Sequence, residues 1–130
     1  MILMKILIGY PCPVTCKVFE MFISHLSDYE VYTTHTIEET IDKISESDYQ
    51  LIVIQAEWLL SSIVLLQWQV LNIATAKTPI LALTTDFDVK DRMLCSEYGI
   101  NVYHQLPMSL KEFKKITGSF VQLRELSRNH

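Results

Sequence analysis

The sequence predicts a doubly wound α/β domain, a parallel sheet covered by helices on both faces. Three observations carry this. Short apolar or β-branched runs alternate with helical patterns five times along the chain. The run Leu51-Ile52-Val53-Ile54 is continuously hydrophobic, as strands buried on both faces are. Glycine, proline and capping residues punctuate the junctions between the two patterns.

The elements follow in order. Lys5-Ile6-Leu7-Ile8-Gly9 is a buried strand ended by Gly9 and two prolines. Pro13 suits the first turn of a helix, where its missing N–H costs nothing, and Val14, Val18, Met21, Phe22 and Leu26 recur at helical spacing. Tyr29 to Thr34 is rich in β-branched and aromatic residues, which predicts a second strand. Thr36 opens a capping box, Thr-Ile-Glu-Glu, ahead of a helix with the stripe Ile37, Ile41, Ile44. Leu51 to Ile54 is the third strand, ending at Gln55, and a long apolar helix follows over roughly Leu59 to Ala74. Pro79 to Thr84 is the fourth strand. Asp88 caps a short helix that stops near Gly99, placed as a C′ glycine. Ile100 to His104 is the fifth strand. Ser109-Leu110-Lys111-Glu112 is a second capping box, opening an amphipathic helix through Phe113, Ile116, Phe120 and Leu123. Five such units make a three-layer sandwich, and their size fits the flavodoxin-like strand order 2-1-3-4-5.

A length of 130 residues predicts a single domain, with a core over about residues 1–123 and a polar tail or linker stub at 124–130. The net charge of −4 and the scattered lysines argue against direct nucleic-acid binding. The apolar start, Met1 to Ile8, is too short for a membrane span and has no signal-peptide pattern. Three cysteines, Cys12, Cys16 and Cys95, suit a reducing cytoplasm better than a disulfide framework.

The pattern resembles the receiver domain of two-component response regulators over nearly the whole chain. Lys5 to Ile8 looks like the first strand, Tyr49 to Gln55 like the strand that delivers the phospho-acceptor, and Pro79 to Thr85 like the fourth. Tyr98-Gly99-Ile100-Asn101-Val102-Tyr103 looks like a helix end and a fifth strand with its switch aromatic. Leu106-Pro107 takes the place of the family's Lys-Pro, whose peptide bond is commonly cis. The resemblance implies an acidic pair for Mg²⁺ at Tyr10 and Pro11, an acceptor aspartate at Gln55, a hydroxyl at Thr84, the switch aromatic at Tyr103 and a lysine at Leu106. Only Thr84 and Tyr103 match. Mg²⁺ needs hard, mostly anionic oxygens, and phosphoryl transfer needs a nucleophile and a cation. The expectation is therefore a degenerate pocket of Tyr10, Pro11, Gln55, Thr84 and Leu106, with no metal, no cofactor and no catalysis.

The implied role is a phosphorylation-independent interaction module in cytoplasmic signalling. Its partner would be a signalling protein, an output domain or a second copy. Glu57, the only carboxylate close after Gln55 in sequence, is the one residue that could stand in for the lost acid chemistry of an orthodox receiver; its plainer reading is an exposed first-turn glutamate favoured by the helix dipole. Trp58, Leu59, Ile63, Leu65, Leu66, Trp68 and Leu71 make the third helix apolar nearly all round, more than core packing requires. Met93, Tyr98, Tyr103, Phe113 and Phe120 are candidates for a self-association face. A different class of function rests on Cys12, which follows the first strand and opens a helix. That placement lowers a thiol pKa, as in a phosphocysteine carrier of the sugar phosphotransferase IIB type, although Pro11 and Pro13 remove two N–H donors. The histidines, His25, His35, His104 and His130, are dispersed and support no metal or catalytic site.

Overall fold

A computed structural model describes residues 4–26, 29–61, 78–100 and 102–128. Five parallel strands, β1 (Met4–Gly9), β2 (Tyr29–Thr34), β3 (Leu51–Gln55), β4 (Ile80–Thr84) and β5 (Val102–Gln105), form one sheet in the order β2-β1-β3-β4-β5. The described helices are α1 (Pro13–Ser24), α2 (Ile37–Glu46), α3 (Ala56–Ser61), α4 (Val89–Glu97) and α5 (Leu110–Arg128). The expected order and the number of strands are both observed.

Alternation along the inner strands divides the core in two. Ile6, Ile8, Leu51, Val53, Leu81 and Leu83 face one side, where Phe19 and Ile23 of α1 and Phe113 and Phe120 of α5 pack on them. Leu7, Ile52, Ile54, Ile80 and Ala82 face the other side, against Ile44 of α2, Leu59 of α3 and Cys95 of α4. Register aligns the strand ends: Gly9 lies opposite Thr34 and Ile54, Gln55 opposite Leu83, and Thr84 opposite Gln105.

Caps form where the sequence places them. Thr36 Oγ1 accepts from the Glu39 N–H at 3.1 Å, and Asp88 Oδ1 from the Lys90 N–H at 2.8 Å. Ser109 and Glu112 close their box in both directions, at 3.1 and 3.2 Å. After α4, the Ile100 N–H reaches the Cys95 carbonyl and the Gly99 N–H the Ser96 carbonyl, with Gly99 at φ +78°. This is a Schellman closure, and the left-handed position calls for glycine.

Some expectations are corrected. In α1, Val14, Val18 and Met21 are 69%, 39% and 66% exposed, while Cys16, Phe19 and Ile23 are buried. Phe22 and Leu26 of the expected stripe do pack on the core, so the face is shifted only in part, toward Phe19, which meets Phe113 edge to face, 5.7 Å between ring centres. Phe113 and Phe120 are core residues, at 0% and 5% exposure, and leave the candidate association face to Met93, Tyr98 and the partly exposed Tyr103. The third helix begins at Ala56, directly out of β3. Most of the expected Leu59–Ala74 segment, and the side chain of Leu123, lie outside the described residues. The backbone of α5 continues through residues 124–128, which the sequence reading assigns to a tail.

Candidate functional site

In an open α/β sheet, ligands bind outside the carboxyl ends of the strands. Here β1, β3, β4 and β5 bring Tyr10, Gln55, Thr84 and Leu106 to that edge. Tyr10 extends β1 by one residue, its N–H donating to the Thr34 carbonyl at 3.0 Å. Its ring continues the alternation of Ile6 and Ile8 and is 5% exposed within the core beneath α1. Burial raises its pKa first, and the nearby Glu57 carboxylate adds to the rise. Pro11 is exposed and leads into the N-cap of α1 at Cys12.

Gln55 ends β3, half-buried, and the chain enters α3 at the next residue. That immediate turn places Glu57 beside the end of β4. The buried Thr84 hydroxyl donates to Glu57 Oε1 at 2.6 Å and accepts from the Asp86 N–H at 3.1 Å. The Thr84 carbonyl takes the Leu106 N–H at 2.7 Å, tying β4 to the end of β5. Leu106 packs its side chain against the core beneath α1 and α5, and the Leu106–Pro107 peptide is cis.

Tyr103 stands on β5 with its ring centre 5.2 Å from that of Phe87. Its hydroxyl accepts from the Asp88 N–H at 3.2 Å and lies 3.5 Å from the Asp86 carbonyl. A continuous polar line therefore runs from Glu57 through Thr84 and the Asp86 backbone to Tyr103.

The structure also joins residues that sequence separation hides. The buried Cys16 thiol lies 3.5 Å from the Tyr10 carbonyl and 3.6 Å from His35 Nδ1, which is itself 3.2 Å from that carbonyl. Burial pushes the Cys16 thiol up to about 11, so it is a protonated tie rather than a nucleophile. Cys12 differs. Its thiol is exposed, and the Thr15 N–H, then the Thr15 hydroxyl and the Val14 N–H, lower its pKa without closing a cap hydrogen bond. His104 pairs with Glu112 at 3.0 Å, and Glu112 is lowered mainly by the Ser109 N–H and hydroxyl.

Chemically, the residues at this edge do not fit Mg²⁺. A buried phenol, a proline and a neutral amide bring no anionic oxygen, and the one carboxylate described beside them, Glu57, already accepts from the Thr84 hydroxyl. Among the described residues no cluster of three or more His, Cys, Asp or Glu side chains is placed to hold a metal. No described helix is long and apolar enough to cross a membrane.

Solved structures share this architecture. The signal receiver domain of a putative LuxO repressor protein from Vibrio parahaemolyticus superposes with a TM-score of 0.84 over 98% of this chain and 96% of that one, at 14% identity. The fold is that of a receiver domain. A putative response regulator from Chloroflexus aurantiacus gives a TM-score of 0.77 at 21% identity, covering 92% of this chain and 98% of that one. The receiver domain of a sensor histidine kinase from Pseudomonas aeruginosa, whose active-site cleft coordinates magnesium, gives 0.74 at 21% identity, covering 92% and 98%. No family model matches the chain, and no curated protein matches it. The receiver fold is thus held by a sequence with little identity to its structural neighbours.

Proposed function

We propose that this receiver-fold domain is a signal-transduction module that works by protein–protein contact and without phosphorylation. The partner is a signalling protein, an output domain or a second copy, met in the cytoplasm. Tyr10, Pro11, Gln55, Thr84 and Leu106 form the degenerate pocket, and no catalysis occurs there. The observation that supports this best is the Thr84–Glu57 hydrogen bond. The hydroxyl that would meet an incoming anion already donates to a carboxylate of its own chain. Any added phosphoryl group would face that negative charge with no metal and no lysine to offset it. Tyr103 is held to the loop that begins at Thr84, so the arrangement of its side chain follows from internal contacts alone.

Intact-mass spectrometry after incubation with Mg²⁺ and acetyl phosphate or beryllofluoride tests the proposal. The expected spectrum shows no adduct for the parent and none for Gln55→Asp, since one substitution restores neither the metal ligands nor the cation. Stoichiometric Mg²⁺-dependent labelling of the parent or of Gln55→Asp would sink it.

A second reading is favoured by one observation, the exposed Cys12 thiol with its lowered pKa at the start of α1. As a phosphocysteine carrier, the protein would take phosphate from a phosphohistidine donor and Cys12→Ser would abolish uptake. Failure of the parent to accept any label removes that reading.

A further inference from the structure

An open groove of about 350 Å³ lies between α4 and β5. Its floor is apolar: Cys95 and Ile100 are 1% and 6% exposed. The Cys95 thiol is pushed up to about 11 by burial and stays neutral, so the floor carries no charge at physiological pH. Phe87 and Tyr103 line it as an aromatic pair, and Phe87 keeps 42% of its surface in water. Two donors share one face of α4 at this groove, Arg92 and, one turn later, Ser96.

Arg92 is the residue that gives the groove a chemistry. The ion pairs among the described residues are Lys43–Glu46 and His104–Glu112, so its guanidinium joins none of them. Asp88, one turn before it, caps the Lys90 and Asp91 N–H groups through Oδ1. A volume of this size sits at the small end of ligand sites, where a mostly apolar lining with a few polar groups sets orientation. A guanidinium beside two aromatic rings selects a flat apolar body carrying a planar anion.

We infer that this groove is a binding site for a small aromatic carboxylate. The ring lies over Cys95 against Phe87 and Tyr103, and the carboxylate takes the Arg92 fork with the Ser96 hydroxyl as a second donor. One guanidinium balances one negative charge, and Asp88 and Asp91 on the same helix disfavour a dianion such as a phosphate monoester. Because the Tyr103 hydroxyl is fastened to the Asp86–Asp88 backbone, an occupant touches the β4–α4 loop directly. Binding here does not depend on the chemistry at Gln55, so its failure and the failure of the proposed function are separate results.

The probe is 2-naphthoate, titrated into the ¹⁵N-labelled chain, with 2-naphthamide as the neutral isostere and 2-naphthyl phosphate as the dianion. Saturable shifts at the Phe87, Ser96 and Tyr103 amides are expected, with a dissociation constant on the order of 1 mM or tighter. Arg92→Gln and the amide isostere should each weaken binding about tenfold. Ser96→Trp, an exposed position whose bulk fills the groove, should abolish binding while the remaining spectrum is retained. Absence of saturable shifts at roughly 10 mM probe would overturn the site. So would shifts centred elsewhere, or parent-like affinity in Arg92→Gln. Tighter binding of the naphthyl phosphate would overturn the assignment to a monoanion.

Discussion

Gly9 ends β1 one residue before Tyr10 and lies against Thr40 of α2, and its replacement by alanine gives a quantitative test. A Cβ added to Gly9 would lie 2.9 Å from Thr40 Oγ1, 3.1 Å from Thr40 Cγ2 and 3.3 Å from Thr34 Oγ1. Neither threonine can step aside. Thr40 is fully buried, and its hydroxyl is held at 2.7 Å by both the Thr36 carbonyl and Thr34 Oγ1. Overpacking of this kind costs about 1–3 kcal/mol. The smaller unfolded-state entropy of alanine offsets about 0.4–1 kcal/mol of it, leaving a net loss of roughly 1–2 kcal/mol for Gly9→Ala. Thr40→Ala alone removes a methyl and two hydrogen bonds and costs a similar amount, about 1–3 kcal/mol. In the double variant the new methyl occupies the space that Thr40 vacates. Its loss should fall short of the summed single losses by about 1–2 kcal/mol. Urea denaturation followed by far-UV circular dichroism, with the slopes checked for constancy, measures all four corners. Additivity within about 0.5 kcal/mol would refute the close approach of β1 to α2 on which the reasoning rests.

The other predictions concern the strand-end groups and the titrating side chains. Glu57→Ala removes one acceptor of the buried Thr84 hydroxyl, which keeps the Asp86 carbonyl at 3.0 Å, so stability should drop by about 0.5–1.5 kcal/mol; an unchanged midpoint would contradict the bond. Iodoacetamide at pH 8 should alkylate Cys12 first and leave Cys16 and Cys95 intact in the folded protein, giving a single adduct by mass. Early loss of Cys95 would contradict its burial. Between pH 9 and about 11 the unfolded thiols release protons that folded Cys16 and Cys95 retain, so stability is full below 9 and falls as pH rises through that window. Replacing both by alanine should flatten that part of the profile. Glu112 runs the other way: its folded pKa lies below the ordinary 4.5, so its contribution is present above 4.5 and is lost as pH falls through the folded value. Glu112→Gln should lessen the slope of acid unfolding in that range, and an unaltered slope would speak against the capping box.

The parts of the fold legible in the sequence are those governed by local chemistry. Leu51 to Ile54 announces a strand buried on both faces because each side chain meets a helix layer, whichever way it points. Thr36, Asp88, Ser109 and Gly99 announce helix ends because caps act within three or four residues. The phase of α1 was legible only in part. Val14-Val18-Met21 and Cys16-Phe19-Ile23 are both apolar at helical spacing, and the choice is made by Phe113, ninety-odd residues away in sequence (about 94 from Phe19). The same limit applies at the strand ends. Glu57 in a first turn has a sufficient local explanation in the helix dipole, so nothing in the sequence points to Thr84, 27 positions on. The tie between Cys16 and His35 likewise depends on how α1 and the segment after β2 meet across Tyr10.

Helix α4 has one more consequence. Of its nine residues only Cys95 is buried, while Val89, Met93 and Leu94 lie open to water. Its first turn is closed by Asp88 and its last by the Gly99 Schellman bonds, and the Asp88 N–H ties its start to the Tyr103 hydroxyl on β5. A helix of that kind is a detachable part. Lifting or tilting it costs the contacts of Cys95 and the Asp88–Tyr103 hydrogen bond and breaks no bond between strands. In native-state hydrogen exchange, α4 amides should therefore open well below the free energy of global unfolding, as their own cooperative unit. Evolution of a new response on this scaffold would need only a contact that favours one seat of α4 over another, with no redesign of the sheet beneath it.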